Sequence, residues 1–209
     1  MSPIERLQHD AASLGVTLAD GEAARLLTLT RELERWGRSY NLTSVTAPEA
    51  MITRHLLDSL AIHADLEGER IADVGTGAGF PGLPLALVNP ARHFTLIDSV
   101  GKKIRFVTHA VRTLALGNVT AVQARVESFR PAQLFDTVTA RAFAPLPSLV
   151  EQAGELCAPG GVVLAMKGRW PAEELERLPV PWSLERSRTL LIPGLGEERC
   201  VLVLRRAPR

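Results

Sequence analysis

Along the first 65 residues apolar positions recur at steps of three and four, whereas from Arg70 onward they gather into short runs separated by helix-length segments. The first pattern is that of amphipathic helices and the second that of buried strands. Leu26, Leu29, Leu33 and Trp36 predict a helix capped by Asp20 and ending near Gly37. Thr46-Ala-Pro-Glu49 has the form of a capping box, opening a further helix with Ile52, Leu56, Leu57 and Leu60 on its buried side. Tyr40-Asn-Leu-Thr43 is the connector between them. Strands are predicted at Arg70–Val74, His93–Asp98, Val119–Gln123, Thr137–Ala140 and Val162–Met166, with Gly160-Gly161 breaking a helix that ends near Cys157.

Alternating strands and helices make a parallel sheet covered on both faces. The tail departs from alternation: Leu184–Leu191 and Arg199–Arg205, joined by Ile-Pro-Gly-Leu-Gly-Glu, read as an antiparallel hairpin at the sheet's end. Residues 1–66 are therefore expected to form an N-terminal helical extension and 67–209 one compact α/β unit.

Composition excludes several classes. The chain has 209 residues, 46% of them apolar, enough for a substantial core and too few for two large domains. No run approaches the ~18 apolar residues of a membrane span, and Met-Ser-Pro-Ile-Glu-Arg is not a secretion signal, so a soluble cytoplasmic protein is expected. Cys157 and Cys200 are too few and too separated for a disulfide framework or a thiolate site, and the histidines have no metal-ligand spacing, so no metal is predicted. A net charge of +1 leaves nucleic-acid contact to a local patch.

Chemistry concentrates in Asp73-Val-Gly-Thr-Gly-Ala-Gly-Phe-Pro-Gly82, directly after the first predicted strand. In a parallel sheet this is where ligands sit, and glycines followed by a helix let the backbone approach an anion. From Gly77 the stretch matches the dinucleotide fingerprint; from Asp73 it suits S-adenosylmethionine, whose methionine end carries an ammonium beside its carboxylate. Asp98, ending the second strand, can accept from the hydroxyls of either ribose. A carboxylate at Asp73 and the missing N–H of Pro81 favour the methyl donor. The nicotinamide alternative also lacks a substrate domain, since only about 40 residues follow the fifth strand. A non-catalytic RNA-binding module is the other alternative.

The glycine stretch, followed by Asp98-Ser-Val-Gly-Lys-Lys103-Ile-Arg-Phe, Arg125-Val-Glu127 and Thr139-Ala-Arg-Ala142, resembles the RsmG family, also called GidB. Trp36, Tyr40-Asn-Leu-Thr43 and Arg54-His55-Leu-Leu-Asp58-Ser extend the likeness through the helical segment, so it spans nearly the whole chain. The resemblance implies a Rossmann-like class I S-adenosylmethionine-dependent methyltransferase: a seven-stranded, mostly parallel sheet ending in an antiparallel hairpin. It implies methylation of N7 of a guanine in 16S ribosomal RNA, with the RNA or the small ribosomal subunit as partner; a monomer is expected. By position it implies that Gly75 and Phe80 line the cofactor site, that Val126 and Glu127 flank the adenine, and that Arg141 closes the pocket. Asp73, Gly77 and Asp98 join them on the reading of the loop.

On the substrate side, Arg141 at the end of the fourth strand is the expected positioning residue, with Lys167, Arg169, Lys102, Lys103 and Arg105 as phosphate contacts. His55 and Asp58, three residues apart, are expected to pair on one helix face, either as a structural tie or with His55 toward RNA. N7 carries a lone pair and no proton, so no general base is expected.

Overall fold

The computed structural model describes residues 1–207. Its helices are α1 (Pro3–Ser13), α2 (Asp20–Tyr40), α3 (Pro48–Met51), α4 (Asp58–Leu60), α5 (Gly82–Val88), α6 (Gly101–Thr113), α7 (Leu146–Ala153) and α8 (Ala172–Glu176). A π-helical segment, Ile52–Leu57, joins α3 to α4. The strands are β1 (Arg70–Val74), β2 (His93–Asp98), β3 (Val119–Gln123), β4 (Phe135–Arg141), β5 (Cys157–Lys167), β6 (Trp182–Thr189) and β7 (Cys200–Arg206).

They form one sheet in the order β3-β2-β1-β4-β5-β7-β6. β1 to β5 run parallel to their neighbours, while β7 lies antiparallel between β5 and β6. The step from β1 outward to β2 on one side and β4 on the other is the switch point, and the Asp73–Gly82 loop leaves the sheet there.

Alternation along the strands sorts residues between two cores. Ile71, Leu96, Val162 and Leu164 pack with Leu26, Leu29, Leu33, Leu56 and Leu60, so the N-terminal helices share one core with this face. Ala72, Val74, Val138, Ala140, Val163 and Ala165 pack on the opposite face with Leu146, Leu149 and Val150 of α7. By the same alternation Asp73, Thr139 and Arg141 belong to the face that carries the N-terminal helices.

Four local expectations are corrected. Asp20 does not cap α2: the cap position is Ala19, whose N–H donates to Glu22, and the Asp20 carboxylate takes Gln8 instead. The helix runs past Gly37 to Tyr40, where Asn41 adopts a left-handed conformation that asparagine tolerates. Thr46 does not cap α3 either, since Ala47 precedes Pro48 and no side chain closes the turn. Gly160-Gly161 lies inside β5 rather than ahead of it; a Cβ on Gly161 would sit 2.7 Å from the Asp136 carbonyl, and the β4–β5 register shifts there. No helix of the described residues is long and apolar enough to cross a membrane.

Candidate functional site

A cleft of about 340 Å³ opens at the C-terminal ends of β1, β2, β3 and β4. Gly75, Asp98, Val126 and Glu127 line it as expected, together with Lys103. Gly75 has φ +64°, and a Cβ there would lie 2.4 Å from the Phe143 ring, so only glycine lets the loop pass beneath that aromatic. Val126 is buried in a short 3-10 turn, Val126–Ser128, whose first N–H groups have no intrahelical partner, and Glu127 is exposed at its mouth.

Asp98 organises the cleft. One carboxylate oxygen accepts from the Val100 N–H (2.8 Å), and the other from the Gly77 N–H (3.0 Å) and the Lys103 ammonium (3.3 Å). Three of roughly four acceptor positions are thus filled by the protein, one of them by a partly exposed and displaceable lysine. Gly77 therefore serves the site through Asp98. Lys103, expected among the phosphate contacts, turns to the cleft instead.

Asp73 is not in the cleft. Its side chain is fully enclosed, and one oxygen accepts from the Thr76 hydroxyl (2.6 Å) and the Gly82 N–H (2.8 Å). It ties the loop to the first turn of α5, as a capping carboxylate does. Gly82 is required there, since a Cβ would come within 2.8 Å of that oxygen. Burial raises the Asp73 pKa to about 6, against the pull of the Thr76 and Gly82 hydrogen bonds. Strand alternation explains the misplacement: Asp73 shares its face with Ile71, under the N-terminal helices.

Phe80 and Arg141 meet on that same face rather than along the cleft. The Phe80 ring stacks on His55 at 4.7 Å, and the Arg141 guanidinium lies 5.6 Å from the Phe80 centroid. Arg141 donates to the Asp58 carboxylate (2.9 Å) and to the Arg54 carbonyl (3.0 Å). Arg199 approaches the other Asp58 oxygen at 3.4 Å, and Arg54 pairs with Glu197. The expected His55–Asp58 pair is not made. The His55 Nε2 is instead 3.0 Å from the Thr43 hydroxyl, and the ring is buried within the π-helical segment. Burial, with the Arg141 charge beside it, lowers the His55 pKa to about 4, so the ring is neutral at pH 7.

Lys167 is also spoken for. It donates to the Ala144 carbonyl (3.1 Å) and pairs with Glu174 (2.7 Å), whose carboxylate accepts from the Leu146 N–H (2.6 Å). Arg169 and Arg105 are exposed and Lys102 is half-buried.

A family model described as GidB, rRNA small subunit methyltransferase G, matches residues 22–203. The chain belongs to this family. A ribosomal RNA small subunit methyltransferase G of Nitrosococcus oceani is 47% identical over 199 residues, 95% of this chain and 93% of that protein. One of Alkalilimnicola ehrlichii is 49% identical over 189 residues, 90% and 86% of the two chains. Among solved structures, a coclaurine N-methyltransferase bound to N-methylheliamine and S-adenosylhomocysteine superposes with a TM-score of 0.62 over 97% of this chain and 94% of that one. At 12% identity that likeness speaks for the fold alone, which is the class I methyltransferase architecture.

The sequence assigned no role to seven lining residues: Ser99, Val100, Ala124, Arg125, Ala142, Phe143 and Gln152. The first two adjoin Asp98 and Phe143 follows the Thr139–Ala142 motif, so adjacency would have found them. Gln152 comes from α7, on the other side of the cleft, and carries no sequence signal.

Proposed function

We propose that this chain transfers a methyl group from S-adenosylmethionine to N7 of a guanine in small-subunit ribosomal RNA. The supporting observation is the Asp98 constellation at the switch point, with the glycine loop on one side and the Val126–Glu127 turn on the other. The cleft's donor and acceptor set suits that cofactor. The Gly75–Gly77 backbone offers the amino-acid end a close approach. Asp98 keeps one acceptor position for a ribose hydroxyl and gains a second when Lys103 swings aside. The Val126 and Glu127 N–H groups and the Glu127 carboxylate complement the edge of an adenine.

When bound at the Asp98 cleft, the cofactor would supply an electrophilic methyl carbon on a sulfonium, the C–S electrons returning to sulfur as N7 takes the methyl and with it the positive charge. What the protein must do is align and enclose, because no proton has to leave. Arg141 is suited to positioning the base. A bare guanidinium would oppose the charge developing on it, but Asp58 offsets that charge at 2.9 Å. His55, neutral at pH 7, adds none.

The test compares thermal stabilisation by two ligands. S-adenosylhomocysteine at ~100 times its dissociation constant should stabilise the fold by about 2.7 kcal/mol, with no shift from NAD. Asp98→Ala should abolish most of that shift. A shift with NAD alone, or an unchanged shift in the variant, contradicts the assignment.

A further inference from the structure

Helices α2 and α6 lie side by side and run in opposite directions. Arg25 of α2 reaches the Leu114 carbonyl just past the end of α6, Glu32 meets the His109 Nε2 (2.5 Å), and Trp36 packs on Phe106 with ring centroids 5.7 Å apart. Positions thus fall along α6 as they rise along α2, and Tyr40, one turn beyond Trp36, comes to the first turns of α6. Lys102 and Arg105 stand there, one turn ahead of Phe106 and His109 on the same helix face. Because α6 follows β2, this corner lies at the C-terminal edge of the sheet, beside the Asp98 cleft that Lys103 lines.

The chain leaves Tyr40 along the rim of the site. Asn41 turns it in a left-handed conformation, and Thr43, no more than about 11 Å of chain further on, meets the His55 Nε2 at 3.0 Å. His55 in turn stacks on Phe80, and the Arg141 guanidinium lies over that ring. Tyr40 and Arg141 are thus joined along one rim by Thr43, His55 and Phe80.

Trp36 backs the Tyr40 ring at 5.4 Å, yet 42% of Tyr40 stays exposed. An aromatic ring braced on one side and open to water on the other is a platform for a flat partner. The charges beside it narrow the choice of partner. On α2, Arg35 pairs with Glu32 and Arg38 with Glu34, and on α6 Lys103 pairs with Asp98. Lys102 and Arg105 have no ion pair among the described residues, and α6 contains no acidic residue. Lys102, in the first turn, also opposes the helix macrodipole, so its charge does not serve the helix itself. Two uncompensated cations beside an open aromatic face suit an anionic strand with unstacked bases.

We propose that Tyr40, Lys102 and Arg105 form a binding site for unpaired RNA flanking the target guanine, with a base stacked on Tyr40 and adjoining phosphates at the two cations. The proposal rests on the RNA-methylation reading and adds to it a path for the strand, from Arg141 along the rim to the start of α6.

The test measures binding of a short, fluorescently labelled, unpaired RNA oligonucleotide to the full chain across a range of salt concentrations. Tyr40→Ala should weaken binding roughly tenfold, the loss of one base–aromatic stack, and Tyr40→Phe should restore most of it. Replacing both cations, Lys102→Gln with Arg105→Gln, should flatten the dependence of log affinity on log salt by about 1.4. In methyl transfer to 16S rRNA, Tyr40→Ala should raise the KM for RNA, with kcat and the S-adenosylhomocysteine dissociation constant unchanged. Unchanged oligonucleotide affinity in Tyr40→Ala, or an unchanged salt slope in the charge variant, overturns the proposal. If Tyr40→Ala fails to fold, the salt slope of the charge variant decides alone. A raised KM on the assembled small subunit with no loss of oligonucleotide affinity also overturns it, assigning the surface to a ribosomal protein. A native chain that binds RNA through Tyr40 but methylates no rRNA would instead remove the RNA-methylation reading and leave RNA binding at Tyr40 in place.

Discussion

Asp73 and His55 are buried ionisable groups with opposite consequences. The Asp73 carboxyl, raised by burial from 3.8 to about 6, costs nothing while protonated. Its cost grows as pH rises from about 4 to 6, because the unfolded chain gives up the proton first, and is constant above that. His55, lowered by burial and the Arg141 charge from 6.5 to about 4, contributes fully above pH 6.5. Its contribution declines as pH falls toward 4, because there the unfolded chain takes the proton first. The two slopes partly cancel over the same window. Asp73→Asn, which can still accept from Thr76 and Gly82, removes only the first. Its Tm should therefore climb more steeply with pH between about 4 and 6 than that of the native chain. Thermal melts across that range check this, and parallel curves would contradict it. At this scale the residues singled out at strand ends or beside the glycine motif, Gly75, Asp98, Val126 and Glu127, line one cleft. Asp73 and Phe80 lie away from that cleft, and His55 meets Thr43 and Phe80 rather than Asp58, because whether a loop-proximal side chain faces ligand or core depends on strand alternation and on helices far along the chain.

Strands β1, β2 and β3 have the bounds that apolar runs predict; β1 is buried along most of its length, while β3, at the sheet edge, has none of its residues buried. Helix starts were less legible: in α2 the reciprocal Ala19–Glu22 bond replaces the side-chain cap that Asp20 would have supplied. Least legible of all was the junction between helical extension and sheet, since Arg141 and Asp58 are 83 positions apart. That junction is an ion-pair assembly in which Asp58, 3% exposed, receives Arg141 and Arg199. Removing the buried partner leaves Arg141 with the Arg54 carbonyl alone and no counter-charge, while Arg199 keeps Glu197. Asp58→Ala should cost on the order of 3 kcal/mol, measured by denaturant unfolding, and should impair methyl transfer by releasing Arg141. A loss under about 1 kcal/mol would show that the junction is held by its apolar core alone. Arg141→Ala should abolish transfer while leaving Asp58 with Arg199, so the two variants separate positioning from stability.

At the scale of the whole molecule, the sheet order and the antiparallel β7 separate this fold from a plain dinucleotide fold, and the terminal hairpin was the sequence feature that pointed to it. The same topology divides labour along the C-terminal edge of the sheet. The ends of β1 to β3 carry the Asp98 cleft, the proposed cofactor site. The ends of β4 and β5 carry Arg141 and Lys167. Arg141 and Lys167 are both paired with carboxylates, as suits a reaction that moves a positive charge and no proton. The most direct test of the proposed activity is to incubate the native chain with unmethylated 16S rRNA and labelled S-adenosylmethionine, then map the product by borohydride reduction and aniline cleavage, which cut the strand at 7-methylguanosine. The account predicts label in the RNA and a single new cleavage site at a guanine; label that resists cleavage, or no label at all, would contradict it.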